Sequence, residues 1–165
     1  MQRRPMNKRE KRFWKKQLQC SPEDFKAEIG NRLSLNHWSI EINDEVISWL
    51  APVLDEVEEL NLTDTNITEQ GVAHLSSLNK LQYLRLKDTF LDKTCIPHLL
   101  HLHSLEHLHL GIFEGTCADL IPLGQLSNLQ ELIAKPQDED QDALKEIFDR
   151  KPDLKLVINS QQVLF

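Results

Sequence analysis

Leucines recur along this chain with a fixed spacing of 24 residues. Val57-x-x-Leu60-x-Leu62 is followed by Leu81-x-x-Leu84-x-Leu86, Leu105-x-x-Leu108-x-Leu110 and Leu129-x-x-Leu132-x-Ala134. A second lattice keeps the same step through Val72, Ile96 and Leu120, through Leu75, Leu99 and Leu123, and through Leu78, Leu102 and Leu126. A unit this short cannot close a core alone. It buries its apolar side against the next copy, so the chain must stack as a solenoid. A solenoid presents a surface, and binding is its expected work.

The units fall in order. Residues 1–20 form a basic arm, expected to be partly disordered, with Phe13, Trp14 and Leu18 as its apolar points. Ser21-Pro22-Glu23-Asp24 is a helix start: a capping hydroxyl, a first-turn proline and acids at the positive end of the dipole. Gly30 is a stop. The spacing therefore predicts a cap helix over 21–30, covering the open end of the array. Residues 21–165 make one domain. A diverged first repeat sets Leu33-x-Leu35 against Leu60-x-Leu62 with a 27-residue step. Strands are expected near 58–62, 82–86, 106–110 and 130–134. Leu154, Leu156, Val157 and Ile158 give a C-terminal edge strand.

The segment Leu60-Asn-Leu-Thr-Asp-Thr-Asn-Ile-Thr-Glu-Gln-Gly-Val-Ala-His-Leu75 resembles the LxLxxTxITxxGLxxL pattern of the leucine-rich-repeat family. It is most similar to the short bacterial type, in which threonine often replaces the ladder asparagine. The resemblance spans roughly residues 30–160. It implies an α/β fold: a right-handed solenoid with parallel strands on the concave side, helices on the convex side and an N-terminal helical cap. It also implies protein–protein recognition without catalysis. The ladder position departs from the family, reading Trp38, Thr65, Thr89, Phe113 and Gln137. Gly111-Ile-Phe-Glu-Gly115 breaks the loop pattern of the third regular repeat.

Strand side chains alternate, so the leucines point inward and the residues between them outward. Three outward columns follow: Arg32, Glu59, Tyr83, His107, Glu131; then Ser34, Asn61, Arg85, His109, Ile133; then Asn36, Thr63, Lys87, Gly111, Lys135. The candidate protein-binding residues are Arg32, Glu59, Asn61, Tyr83, Arg85, Lys87, His107, His109, Glu131 and Ile133. Tyrosine and arginine are enriched at interface hot spots, and Ile133 is apolar at an outward position.

Two rival readings concern charge and histidine. Residues 1–20 carry Arg3, Arg4, Lys8, Arg9, Lys11, Arg12, Lys15 and Lys16 against Glu10 alone. The remaining residues carry 11 basic and 25 acidic side chains, and the whole chain stands at -7. A basic arm with Phe13 and Trp14 beside it suits nucleic acid or an anionic membrane surface. His98, His101, His103, His107 and His109 cluster and raise metal binding as a weaker reading. His107 and His109 share a strand face, but no carboxylate or cysteine at suitable spacing completes a tetrahedral set. Asp138, Asp140 and Asp142 imitate a calcium loop without its glycine and its closing glutamate (Ala143 and Asp149 stand there). No nucleophile–base signature is present, so no catalysis and no cofactor are expected. No apolar run of membrane-spanning length occurs. Three scattered cysteines point to reduced thiols and a cytoplasmic setting.

Overall fold

The 24-residue period becomes the register of a sheet. The computed structural model describes residues 4–164, and Arg3 and Phe165 lie outside them. Seven strands form one sheet in chain order: β1 (Arg32–Ser34), β2 (Glu59–Asn61), β3 (Tyr83–Arg85), β4 (His107–Ile112), β5 (Glu131–Lys135), β6 (Lys155–Ile158) and β7 (Gln161–Gln162). The first six are parallel, and β7 returns antiparallel to β6. Leu33, Leu60, Leu84, Leu108, Leu132 and Leu156 stand side by side across the six parallel strands. All but Leu33 are buried. The 27-residue step of the first repeat lies in longer connections around the next helix, which at seven residues (Asp44–Leu50) matches its counterpart in the following repeat (Glu69–Leu75).

One face of the sheet is covered by helices: α1 (Lys8–Arg12) and a π-helical stretch (Phe13–Leu18) lead in, followed by α2 (Pro22–Glu28), α3 (Asp44–Leu50), α4 (Glu69–Leu75), α5 (Ile96–Leu99), α6 (Cys117–Leu120) and α7 (Gln141–Arg150). α5 and α6 are single turns with a 3-10 turn beside them; a proline starts α5, and another starts the 3-10 turn after α6. Their inward residues Ile96, Leu99, Leu120 and Leu123 are buried. The core lattice persists there although the helices are short, because burial rather than helix propensity holds each turn. α2 has the expected start: Ser21 accepts from the Asp24 N–H while Asp24 accepts from Ser21. Gly30 sits at φ +64.

The N-terminal segment differs from the expected arm. Its residues 8–18 are helical, and Phe13 and Trp14 are buried in the same core as the leucines. Phe13 packs on Trp14 and Trp49 with ring centroids 5.3 and 5.2 Å apart. Trp14 meets Phe25 at 5.6 Å, and Phe25 meets Trp38 at 6.0 Å. Five rings thus lace α2, α3, the β1–α3 connection and residues 13–14 into one cap. The boundary at residue 20 does not separate a free arm from a domain.

The C-terminal edge also differs. β6 is not the edge: β7 pairs with it, and Val163 N–H donates to the Leu156 carbonyl. Val163 packs on the core, whereas Leu164 is exposed. The acidic run does structural work. Asp138 accepts from the Cys117 N–H at 2.7 Å, and Asp140 caps α7 through the N–H groups of Asp142 and Ala143.

Ladder threonines close their own turns. Thr65 and Thr89 are buried and donate to the carbonyls of Leu62 and Leu86. In the next repeat Phe113 occupies this position and is buried. There β4 runs on to Ile112 through a register shift between His109 and Gly111, with Gly111 at φ +67.

Cys95 and Cys117 are fully buried, and burial first of all pushes each thiol up to about 12. Cys20 is half-exposed. The native protein at pH 8 is therefore expected to show one reactive thiol, Cys20, by colorimetric thiol titration. The other two should react only as fast as the chain opens. Three equally fast thiols would contradict this core.

Candidate functional site

The open face of the sheet, opposite the helices, brings the outward columns together. The first reads Arg32, Glu59, Tyr83, His107, Glu131 and continues to Lys155. The second reads Ser34, Asn61, Arg85, His109, Ile133 and continues to Val157. Adjacent members are neighbours because strands lie about 4.8 Å apart.

The third column needs correction. The bulge pairs Gly111 with Ala134 and Ile112 with Lys135. The outward neighbour of Lys135 is therefore Ile112, which is 59% exposed, and Gly111 itself is buried. A Cβ on Gly111 would lie 2.8 Å from the Lys87 Cα. The close approach of the Lys87 backbone, rather than a gap in the column, explains the glycine.

The centre of this face is organised around Tyr83. Its ring stacks at a tilt on His107, with centroids 5.4 Å apart. Arg85 Nη2 donates to Tyr83 Oη at 2.9 Å, and its guanidinium carbon lies 5.6 Å from the ring centre. Arg85 Nε is buried without a hydrogen-bond partner. His109 is held below the usual imidazole range, first by burial and then by the cations Arg85 and Lys87.

The carboxylates of the face are engaged. Glu59 pairs with Arg32 at 2.6 Å. Glu131 accepts from Lys155 at 2.5 Å and faces His107 Nδ1 at 3.5 Å. The Lys155 hydrogen bond is the main reason that Glu131 sits below the usual carboxylate range. Lys87 reaches Asp88 at 3.1 Å. Arg32, Leu33, Ser34, Glu59, Leu60, Asn61, Tyr83 and Arg85 line a shallow depression of about 370 Å³ at the N-terminal end of the sheet.

The histidines divide as their spacing suggests. His107 and His109 share the open face, whereas His98 lies in α5 and His101 and His103 in the turn before β4. Among the described residues, no three His, Cys, Asp or Glu side chains form a group that holds a metal ion. In the basic segment Arg4 pairs with Glu10 at 3.0 Å and Arg9 with Glu45 at 3.3 Å. Lys8, Lys11, Arg12, Lys15 and Lys16 remain exposed, but Phe13 and Trp14 are core residues and are not free to stack on a base.

Val157, Ile112 and Lys155 are additions to the sequence-derived face. The signal for Val157 and Lys155 was present: Leu154 and Leu156 alternate inward, which turns residues 155 and 157 outward. Ile112 had none, because a bulge shifts register without altering the leucine spacing. Among the described residues, no helix is long and apolar enough to cross a membrane.

No protein-family model matches the sequence. No curated protein matches it either. Solved structures do. A structure titled Leiomodin-1 Actin-Binding Site 2 is 15% identical, aligns over 80% of this chain and 86% of its own, and has a TM-score of 0.62. An internalin (inlF) from Listeria monocytogenes is 18% identical over 77% of this chain and 40% of its own, with a TM-score of 0.51. With the 24-residue register of the sheet, these similarities establish that the chain has a leucine-rich-repeat fold.

Proposed function

We propose that this chain is a non-catalytic protein–protein interaction module, an adaptor, inhibitor or immunity-type binder, that takes its partner on the open, concave face of the sheet. The Tyr83–Arg85–His107–His109 cluster carries the reading. It sets an aromatic ring, a guanidinium and two imidazoles side by side and half-buried at the centre of a continuous surface. Hot spots have this composition and central placement. One structurally similar protein is titled as an actin-binding site, which supports protein capture by this fold. The three unpaired thiols support a reducing compartment, the cytoplasm.

The double substitution Tyr83→Ala with Arg85→Glu is expected to abolish partner capture from native lysate. Both side chains lie on the face rather than in the core, so the variant should still melt cooperatively by circular dichroism, with a loss of about 0.5–3 kcal/mol for two half-buried, mutually bonded side chains. Undiminished capture would discard the face. The competing use of the basic segment, on nucleic acid or anionic lipid, predicts capture that fails at high salt and in Lys8→Glu with Lys15→Glu.

A further inference from the structure

The open face has an apolar half that its leucine spacing does not announce. Ile133 stands directly beside Val157. Ile112 lies one strand away and next to Lys135. Phe90, in the loop that follows β3, is 72% exposed. Isolated exposed aliphatic residues are ordinary, but a group on neighbouring strands is a mark of contact with another molecule.

Charge across the open face has a definite sign. Glu59, Asp88 and Glu131 are each matched by a cation of the face. Arg85 and Lys135 have no carboxylate partner among the described residues. The chain as a whole is at -7, so outside the basic N-terminal segment this local surplus stands against an acidic body. The local surplus attracts an acidic segment at short range, against the weaker, salt-screened repulsion of the acidic body.

Resting on the protein-binding reading above, we infer that the partner presents a segment with carboxylates beside aliphatic or aromatic side chains. The apolar side chains cover Ile112, Ile133 and Val157, while the carboxylates meet Lys135 and Arg85. Arg85 is suited to this because its planar fork can grip a carboxylate through two N–H groups at once. Lys135 supplies a mobile point charge beside the apolar patch.

The test pans a random-peptide phage library against the full chain, then measures synthetic copies of the enriched peptides by fluorescence anisotropy. Enriched sequences should combine Asp or Glu with Leu, Ile, Phe or Trp. Their affinity should fall about tenfold or more in Lys135→Glu and in Ile133→Ser. Lys135→Gln and Ile112→Thr, checked by unchanged thermal melts, guard against misfolding and should show smaller losses in the same direction. Basic or uncharged consensus peptides that still require Tyr83 and Arg85 would overturn this inference and leave the face intact. Peptides indifferent to every one of these substitutions would overturn both. No enrichment, or retention of a single-stranded oligonucleotide in place of acidic peptides, would overturn the inference.

Discussion

Phe13→Ala is expected to lower the unfolding free energy by about 3–5 kcal/mol, the cost of deleting a buried aromatic ring and leaving its cavity. For a chain of this size that corresponds to a fall of about 6–20 °C in the thermal midpoint. The side chain is 1% exposed and packs between Trp14 and Trp49. Its loss breaks the row of rings between Trp49 and Trp14 and leaves residues 4–12 tied to α3 by little more than the exposed Arg9–Glu45 pair. The array then opens at its N-terminal end, where the first repeat has no neighbour to bury its apolar side. Lys15→Ala and Lys16→Ala, one and two residues beyond the aromatic pair and exposed, should stay within about 0.5 kcal/mol. Equal, small effects at Phe13 and at the lysines, read by circular dichroism, would show that the segment is an arm after all. The same geometry changes how the basic segment must be tested. A deletion of residues 1–16 removes Phe13 and Trp14 with the charges, so loss of nucleic acid or lipid binding in it would report unfolding as readily as electrostatics.

The repeat lattice was legible because its signal is redundant. Every parallel strand of the sheet repeats the same inward leucine, and a misreading at one repeat is corrected by the next. The cap helix was legible from local chemistry: Ser21, Pro22 and Asp24 encode its start without help from the rest of the chain. The role of Phe13 and Trp14 was not, because the eight cations around them dominate the composition, and burial there depends on Trp49 and Phe25, which lie on other elements. A charge run ordinarily marks a solvated segment. Here the charges occupy the outer side and two aromatics the inner side. β7 escaped notice for a related reason. Gln161 and Gln162 have no apolar pattern, and the reversal before them rests on Asn159 and Ser160 at φ 50 and 70, a turn that asparagine signals only weakly. On the open face, strand alternation put nine of the ten candidate residues in register on neighbouring strands, while Lys87 lies beyond the end of β3. Alternation fixes direction but not partners, so the pairing of Arg85 with Tyr83 and of Glu131 with Lys155 emerged only with the side chains in place.

Gly111→Val is expected to cost about 2–5 kcal/mol, combining a left-handed backbone that disfavours side chains with forced overpacking. Gly111 has φ +67, and an added Cβ would meet the Lys87 Cα at 2.8 Å, a backbone atom that cannot swing aside. Gly30 separates the two causes. It has φ +64 but nothing within 4 Å of an added Cβ. Gly30→Ala should therefore show the conformational cost alone, about 1–2 kcal/mol, and Gly111→Ala distinctly more. Equal losses, measured by chemical denaturation, would mean that the close approach of β3 and β4 contributes nothing. The consequence reaches the surface as well as the core. The bulge at Gly111 is what carries β4 on to Ile112 and sets that side chain beside Lys135. Straightening it would turn Ile112 inward and pull Lys87 away, because a one-residue slip reverses the face on which each following side chain lies. The Gly111 variants should accordingly weaken peptide capture at Ile112 and Lys135 even below their melting temperature, a coupling that Gly30→Ala should not show.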